Sequence, residues 1–263
     1  MTASSLLYVY GVVQPGFDAS SAPAGVEEQS VAVVDAGRYA VLASRVPGDA
    51  LAPQVVEQRS GDMEWVGPRA LAHDRVMTWA QERGGIVPMP MFSLWSDEAA
   101  MRASITGRET ALADAFGRIA GADEYGLRVH RNERAMLERA HELDPAIAAL
   151  RQEADAAPPG QRYLLERKIA EQSKQAVRAA SQRIAKDAYA ALQPIARAAM
   201  VRPLTPSAAT PDDATLVLNA AFLVERARFD AFRAELTRQL GAAEALGLTF
   251  DFTGPWPPYN FVA

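Results

Sequence analysis

The chain has 263 residues and contains no cysteine. Disulfide bonds, thiolate metal sites and thiol nucleophiles are therefore excluded, and the composition suits a reducing compartment such as the cytosol. Histidine is nearly as scarce, and none of the three histidines (His73, His130 and His141) lies at metal-ligand spacing from another or from a suitable pair of carboxylates. We therefore predict no metal, no cofactor and no catalytic residue.

The adjacent pair His73 and Asp74 is the one hint of a metal phosphohydrolase. That chemistry needs several further His and Asp ligands, which the sequence does not supply. The alternative that we favour places His73 on a helix surface or at a helix cap. The sequence also lacks a Walker loop, a dinucleotide-binding glycine pattern and a nucleophile elbow, so it gives no argument for catalysis.

Excess positive charge and long apolar runs are missing too. The formal net charge is -5, which argues against nucleic acid as a partner. The first residues, MTASSLLYVYGVV, lack a basic region, and their apolar run is too short for a signal peptide or a membrane span. We therefore expect a chain without a membrane span.

The second half of the sequence carries regular periodicities. Tyr125, Leu127 and Val129 alternate with polar residues, which indicates a strand with one solvent-facing side. Residues 216–224 (LVLNAAFLV) are apolar on both faces apart from one asparagine, which predicts a central strand. The remaining predicted elements are a short strand at 198–204, a loop over 205–214, an amphipathic helix at 225–240 and a final strand through Phe252.

Two helical stretches lie between the first two of these strands. The first, residues 132–157, carries a heptad seam formed by Met136, Ala140, Leu143, Ile147, Leu150 and Ala154. Asp144-Pro145 inside this seam is a good cap and first turn, so the seam is two helices or one kinked helix. The second stretch, residues 161–193, has no Gly or Pro and would span roughly 50 Å as a helix. With the turn Pro158-Pro159-Gly160 between them, they predict an antiparallel helical hairpin over about residues 132–193.

The first half predicts a second α+β unit. Strands are expected at 6–13, 30–34 and 38–45, with a hairpin turn at Asp35-Ala36-Gly37. A short helix at 47–59 is followed by a clearer helix that begins at Pro68, an edge or irregular strand at 86–92, and a helix capped at 96–97. That last helix carries the stripe Met101, Ile105, Leu112, Phe116 and Ile119 and ends at Gly121. We therefore predict two domains, residues 1–121 and 122–263, with a βαββαβ, ferredoxin-like order in the second.

The chain ends in an aromatic and proline-rich tail, residues 254–263. Its notable members are Gly254, Pro255, Trp256, Pro257, Pro258, Tyr259 and Phe261. Proline fixes φ and donates no hydrogen bond, so the segment is predicted to be extended. So much apolar surface should be covered, either by the tail's own domain or in the groove of a partner. The first alternative predicts that Trp256 and at least one of Tyr259 and Phe261 pack within the chain.

The long helix at 161–193 is unevenly charged. It carries seven Lys or Arg and three acids, a net charge of +4 in a chain whose total is -5. One interpretation is a solvated helix face on which Glu166 and Glu171 form ion pairs with neighbours three or four residues away. The other is a protruding cationic arm that meets an acidic partner or a sister subunit, with Arg167, Lys168, Lys174 and Arg178 as the candidate contact residues. RNA binding is disfavoured, because the strand around Tyr125 lacks the paired aromatics that RNA-binding sheets use.

Four motifs together resemble the gas-vesicle GvpF/GvpL family. They are the tail GPWPPYNFV, the stretch ALAHDRVMTWAQERGGIVPMPMFSLWSDE, the turn and basic motif PPGQRYLLERK, and the strand LVLNAAFLV. The family usually has a basic residue and a glycine after the second proline of the second motif. Met91, Phe92 and Ser93 stand there instead, so any role tied to that basic residue is not carried over to this chain.

The resemblance implies a cytoplasmic, non-enzymatic accessory protein that engages the small hydrophobic shell protein during gas vesicle formation. Other gas vesicle accessory proteins are further implied partners, and the protein would be found in the cytoplasm and at the gas vesicle. The implied fold has two α+β domains, with a modified ferredoxin-like N-terminal half and the helical hairpin inserted in the C-terminal half. Two alternatives stay open: a general protein-interaction module that uses the hairpin and tail, and a small-molecule enzyme with an unfamiliar site. Oligomeric state and family branch are left open as well.

Overall fold

The computed structural model describes residues 5–205 and 214–262. The chain divides into two compact units, a first unit of Met1–Glu124 with Pro255–Ala263 and a second unit of Tyr125–Gly254. The sequence predicts a boundary after residue 121, and the observed crossing lies three residues later. The sequence also predicts residues 254–263 as part of the second domain. That assignment is corrected here, because Pro255–Ala263 pack with the first unit.

The first unit is an antiparallel sheet with helices on both faces. The sheet has the order β2-β3-β1-β4, and β5 also pairs with β1. Its elements are β1 (Ser5–Val13), β2 (Ala32–Ala36), β3 (Tyr39–Pro47), α1 (Pro53–Arg59), α2 (Met63–Glu82), β4 (Val87–Pro88), β5 (Leu94–Trp95), α3 (Glu98–Thr106) and α4 (Glu109–Ile119).

Strand β1 is the centre of this unit because its two faces serve two different cores. Tyr8 and Tyr10 pack into the cluster that α2 covers, whereas Leu7 and Val9 pack into the cluster that α3 and α4 cover. The register of β1 against β3 shifts between Val9 and Gly11. A Cβ on Gly11 would lie 2.6 Å from the Ile86 side chain, so only glycine fits at this shift.

Two helix predictions in the first unit need correction. Helix α2 begins at Met63 and not at Pro68, because Asp62 caps it by accepting hydrogen bonds from the backbone N–H groups of Glu64 and Trp65. The proline is accommodated inside the helix. The single helix predicted after residue 97 is two helices, α3 and α4, because α3 ends at Gly107.

The second unit follows the predicted element order. It contains β6 (Ala122–Asn132, which begins in the first unit), α5 (Glu133–Glu138), α6 (Ala140–Leu143), α7 (Pro145–Ala156), α8 (Pro159–Leu192), β7 (Ala198–Val201), β8 (Ala214–Glu225), α9 (Phe229–Glu244) and β9 (Leu248–Trp256, which ends in the first unit). The sheet order is β7-β8-β6-β9. Strand β8 therefore lies inside the sheet, as its two apolar faces predict. The loop predicted over 205–214 falls mostly on residues 206–213, which lie outside the described residues.

The heptad seam packs against α8, but it is divided into three helices. Met136, Ala140, Ile147 and Ala154 are buried, whereas the seam breaks at Arg139 and again at Asp144, which caps α7. Helix α8 has 34 residues and begins earlier than predicted, because Pro159 fits the first helical turn. At about 1.5 Å per residue its length is close to the predicted 50 Å. No helix within the described ranges is both long enough and apolar enough to cross a membrane.

Candidate functional site

The C-terminal tail, residues 254–262, is fixed to the first unit by polar contacts. The backbone N–H of Asn260 donates to Oε2 of Glu124 at 2.9 Å, and the Asn260 side-chain amide donates to the other oxygen of the same carboxylate. Nη1 of Arg118 donates to the carbonyl oxygen of Phe261 at 3.0 Å. The tail is therefore an integral part of the first unit and not a free arm.

The tail residues divide into a buried set and an exposed set. Pro257, Pro258 and Phe261 are buried, and Phe261 keeps only 6% of its surface exposed. Trp256 and Tyr259 remain 39% and 41% exposed. The tail thus docks on its own chain mainly through Phe261, whereas the sequence predicts that Trp256 packs together with Tyr259 or Phe261. The reason is local, because Trp256 still belongs to β9 and the chain turns only at the two following prolines.

Gly254 and Tyr259 set the shape and polarity of the tail. Gly254 has φ 122°, a conformation that favours glycine, and this lets β9 continue into the prolines. Partial burial raises the pKa of the Tyr259 phenol, and the nearby carboxylates of Asp74 and Glu124 raise it further. Tyr259 is therefore protonated at neutral pH and keeps a hydrogen-bond donor at this surface.

His73 lies in the core of the first unit, which corrects the prediction of a surface or capping position. Its Nδ1 shares a hydrogen bond of 2.9 Å with the Tyr8 hydroxyl, which also accepts from the backbone N–H of Phe92 at 3.2 Å. Burial lowers the pKa of His73 to about 4, and the carbonyl of Met89 offsets this only in part. His73 is therefore neutral at pH 7. Within residues 5–205 and 214–262 there is no group of three or more His, Asp or Glu residues that could hold a metal ion.

A signal for the burial of His73 was present in the sequence. His73, Val76, Met77 and Ala80 follow the i, i+3, i+4, i+7 spacing of one helix face, and all four are buried.

A second tyrosine, Tyr10, adds further hydrogen bonds to this core. Tyr10 Oη accepts from the backbone N–H of Val26 at 2.8 Å and shares a hydrogen bond of 2.9 Å with Ser44 Oγ.

The second unit carries an open groove between its helices that the sequence did not predict. The groove has a volume of about 460 Å³, and its floor is mainly apolar. The floor is formed by Leu137 of α5, Ala154 of α7, and Ile169, Ala170 and Ser173 of α8. Three of these five positions carry small residues, which leaves the space open. The sequence alone does not reveal the groove, because the groove forms only where α7 packs on α8.

Charged side chains form the rim of this groove. Asp155 and Glu166 lie toward the connection between α7 and α8, and Arg151 and Lys174 lie farther from it. The connection itself is fixed by Arg162, which donates hydrogen bonds of 3.0 Å to two carbonyl oxygens at the end of α7. Beyond the groove, Tyr163 and Leu164 are 60% and 65% exposed on the first turns of α8.

The four predicted basic residues do not share one face. Arg167, Lys174 and Arg178 are spaced by seven and four residues and form one stripe on α8, which we call the basic stripe. Lys168 lies roughly 100° around the helix from Arg167. All four side chains are exposed, and none has an ion pair among the described residues. The pairs expected for Glu166 and Glu171 are not formed there either. Lys174 is the member of the stripe that also lines the groove.

Comparisons with known proteins agree over nearly the whole chain. The family model for "Gas vesicle synthesis protein GvpL/GvpF" matches residues 6–263. Gas vesicle protein L of Streptomyces sp. (strain CB03234) is 28% identical over 99% of this chain and 94% of its own length. Gas vesicle protein F of the same strain is 29% identical, covering 97% of this chain and 98% of that protein.

Solved structures of gas vesicle proteins share the fold. The crystal structure of GvpF from Anabaena sp. PCC7120 aligns with a TM-score of 0.70 at 16% identity, covering 99% of this chain and 97% of that one. GvpF from Microcystis aeruginosa aligns with a TM-score of 0.65 at 18% identity and covers 99% of both chains. The mixed architecture of helices and two antiparallel sheets is therefore one that gas vesicle proteins adopt.

Proposed function

The chain belongs to the family of gas vesicle synthesis protein GvpL/GvpF, and from that premise we propose that it is an accessory factor that engages the small hydrophobic shell protein during gas vesicle formation. The observation that supports this proposal most strongly is how much of the chain the family model matches. The family model covers residues 6–263, so the tail, both sheets and the helical region all fall within it. Other gas vesicle accessory proteins are further proposed partners, and nucleic acid is not.

We infer that the protein acts by binding and not by catalysis. Two of the groups with strongly shifted pKa values, Tyr8 and His73, face each other inside the core of the first unit. Enzyme sites instead place such groups in a cleft that substrate can enter. The accessible features include an apolar groove and exposed aromatic side chains, which suit a protein partner. The proposed location is the cytoplasm and the gas vesicle.

We also propose a ferredoxin-like fold for the second unit. Its elements run in the order strand, helices, strand, strand, helix, strand, and the sheet order β7-β8-β6-β9 places the first and third of these strands in the middle. Helices α5 to α8 take the place of the first crossover helix. The first unit is then a modified version, since no helix of comparable length lies between β1 and β2.

The test is capture of the gas vesicle shell protein by the tagged full-length chain. We expect the shell protein to co-purify with it and to be absent from a parallel capture with an unrelated tagged protein. Removal of residues 254–263 is a poor variant for this purpose, because the tail contributes to the first unit. Trp256→Ala is better, because Trp256 is exposed and its loss should leave the fold intact. Failure of the wild-type chain to capture any shell protein would contradict the proposal.

A second proposal, the general interaction module, makes a different prediction in the same experiment. It rests on the groove of α8 and its rim charges, which are not specific to an apolar shell subunit. In that case the chain should capture other accessory proteins of the gas vesicle and not the shell protein. Purified protein should in both cases retain no stoichiometric zinc or iron, and nucleotides should not raise its melting temperature.

A further inference from the structure

The groove on α8 has the dimensions of a docking site for one more helix. A groove between two antiparallel helices is where a third helix packs in a helical bundle. Its α8 lining runs from Glu166 to Lys174, which is roughly 13 Å or between two and three helical turns. Tyr163 and Leu164, 60% and 65% exposed, extend the apolar surface beyond the groove itself. Apolar area of this kind on a helix face marks an interaction surface.

The charges around the groove indicate the chemistry of its occupant. Lys174 lines the groove, and Arg167 and Arg178 lie on the same stripe of α8. None of the three has an ion pair among the residues described. Arg151, on the opposite wall, contacts His141, with Nη1 3.1 Å from the imidazole Nδ1. The end near the α7–α8 connection is different, because Asp155 and Glu166 line it. Carboxylates on a partner are therefore favoured beside Lys174 and disfavoured at the connection.

We propose that this groove binds an amphipathic α-helix of a partner protein, with an apolar face toward Ala154, Ile169 and Ala170 and with carboxylates at one end that pair with Lys174 and Arg178. The mode is helix-in-groove recognition, in which apolar residues at helical spacing supply affinity and flanking charges supply orientation. The identity of the partner as a gas vesicle protein rests on the function proposed above. The chemistry of the groove does not rest on that function, so the test uses a synthetic helix and not a gas vesicle protein.

The test measures binding of an 18-residue fluorescent helical peptide to the full-length chain by fluorescence anisotropy. The peptide carries Leu at helical spacing on one face, Glu beside that face in one half and Gln in the other half. A second peptide has Lys in place of every Glu. We expect the Glu peptide to bind more tightly than the Lys peptide by at least about tenfold, with a difference that shrinks as salt is raised.

Two matched double variants locate the binding surface. Lys174→Glu with Arg178→Glu reverses two charges on the basic stripe, and Lys168→Glu with Lys186→Glu reverses two charges elsewhere on the same helix. Lys168 and Lys186 are eighteen residues apart, so they share one face, about 100° from the stripe. All four residues are exposed, so both variants should fold with unchanged melting temperature. We expect the first pair to weaken binding of the Glu peptide at least about tenfold and the second pair less than about twofold.

A third variant tests the floor of the groove. Ala170→Glu adds a carboxylate at an exposed floor position and should also weaken binding of the Glu peptide. Equal binding of the two peptides, equal effects of the two double variants, or no binding of either peptide would overturn the proposal. Concentration-dependent self-association that Ala170→Glu abolishes would overturn it too, because the occupant would then be a second copy of the chain. None of these results changes whether the wild-type chain captures the shell protein, so failure of the groove and failure of the proposed function are distinguishable.

Discussion

Both units bury polar side chains, but the first buries the imidazole of His73 and the second exposes a row of cations, and this decides what each should respond to. In the first unit, Tyr8, Tyr10, Ser44 and His73 are buried and hydrogen-bonded to one another or to backbone groups. In the second unit, the cations of α8 lie in solvent beside an apolar groove. A buried polar network depends on protonation state, whereas exposed charges depend on salt and on partners. The first unit should therefore respond to pH, and the second to what binds it.

The two units can be followed separately by spectroscopy. The chain has four tryptophans, Trp65, Trp79, Trp95 and Trp256, and all of them belong to the first unit. Tryptophan fluorescence therefore reports on the first unit alone. Far-UV circular dichroism includes the 34-residue helix α8 of the second unit. The two signals together separate unfolding of the first unit from unfolding of the second.

The largest effect is expected from a cavity in the second unit. Phe222 is fully buried, with ring centroids 5.2 Å from Phe232 and 5.5 Å from Tyr189. Phe222→Ala should destabilise the second unit by roughly 3–5 kcal/mol, since it removes a large apolar side chain from a packed core. The loss should appear in circular dichroism at lower denaturant than in tryptophan fluorescence. If both signals shift together by the same amount, the two units unfold as one and the contrast drawn above does not hold for folding.

The next effect is acid sensitivity of the first unit. The folded pKa of His73 is lowered from 6.5 to about 4, so the unfolded chain binds more protons between these values. Stability is then complete above pH 6.5 and falls as pH drops toward 4, by roughly 3 kcal/mol. His73→Gln, which can still accept from Tyr8, should remove most of this pH dependence in tryptophan-monitored denaturation.

The matched control for that experiment is His141→Gln. His141 is exposed on the second unit, so its replacement should leave the acid sensitivity as it is in the wild type. Carboxylates also titrate at the acid end of the window, and the difference between the two variants removes their contribution. If His73→Gln and the wild type lose stability in parallel from pH 6.5 to 4, burial of the imidazole is not the cause.

A smaller effect separates the two aromatic residues of the tail. Phe261 is 6% exposed and Trp256 is 39% exposed. Phe261→Ala should lower the stability of the first unit by roughly 2–3 kcal/mol, and Trp256→Ala by a smaller amount, about 1–2 kcal/mol. Chemical denaturation of both variants measures this order directly, with circular dichroism used for Trp256→Ala because one fluorophore is lost. The reverse order would mean that Trp256, and not Phe261, anchors the tail.

The smallest effect is expected from the basic stripe. Lys174→Glu with Arg178→Glu should change the free energy of unfolding by no more than about 0.5 kcal/mol, because both side chains are exposed and have no ion pair among the residues described. Chemical denaturation in low and high salt measures this change in the free energy of unfolding. A loss of several kcal/mol would show that these cations hold the second unit together instead of facing a partner.

Periodicity predicted most of the second unit because its strands and helices bury continuous faces. The apolar run 216–224 placed β8 inside the sheet, and the stretch without Gly or Pro placed α8 to within a few residues. The start of α2 was harder to predict, because it depends on which residue caps the helix. Pro68 is a common first-turn residue, but the carboxylate of Asp62 and the buried ring of Trp65 start α2 five residues earlier.

The candidate sites were less predictable because they depend on which elements meet. Residues 254–262 show that a tail must dock, but nothing in their spacing selects Glu124 and Arg118 of the first unit as its anchors. The groove likewise arises only when Ala154 on one helix faces Ile169 and Ala170 on another. The sequence predicted the basic stripe only in part, because the helical repeat places Lys168 on a different side of α8 from Arg167.

The division of the chain also has a consequence for synthesis on the ribosome. The second unit is inserted between Glu124 and Pro255, so all of it is made before the last segment of the first unit. It can fold while the chain is still being extended, whereas the first unit must wait for Asn260 and Phe261 to emerge. Completion of the first unit is thus delayed until Asn260 and Phe261 have been made. A chain cut short before Asn260 would have a finished groove and an unfinished first unit.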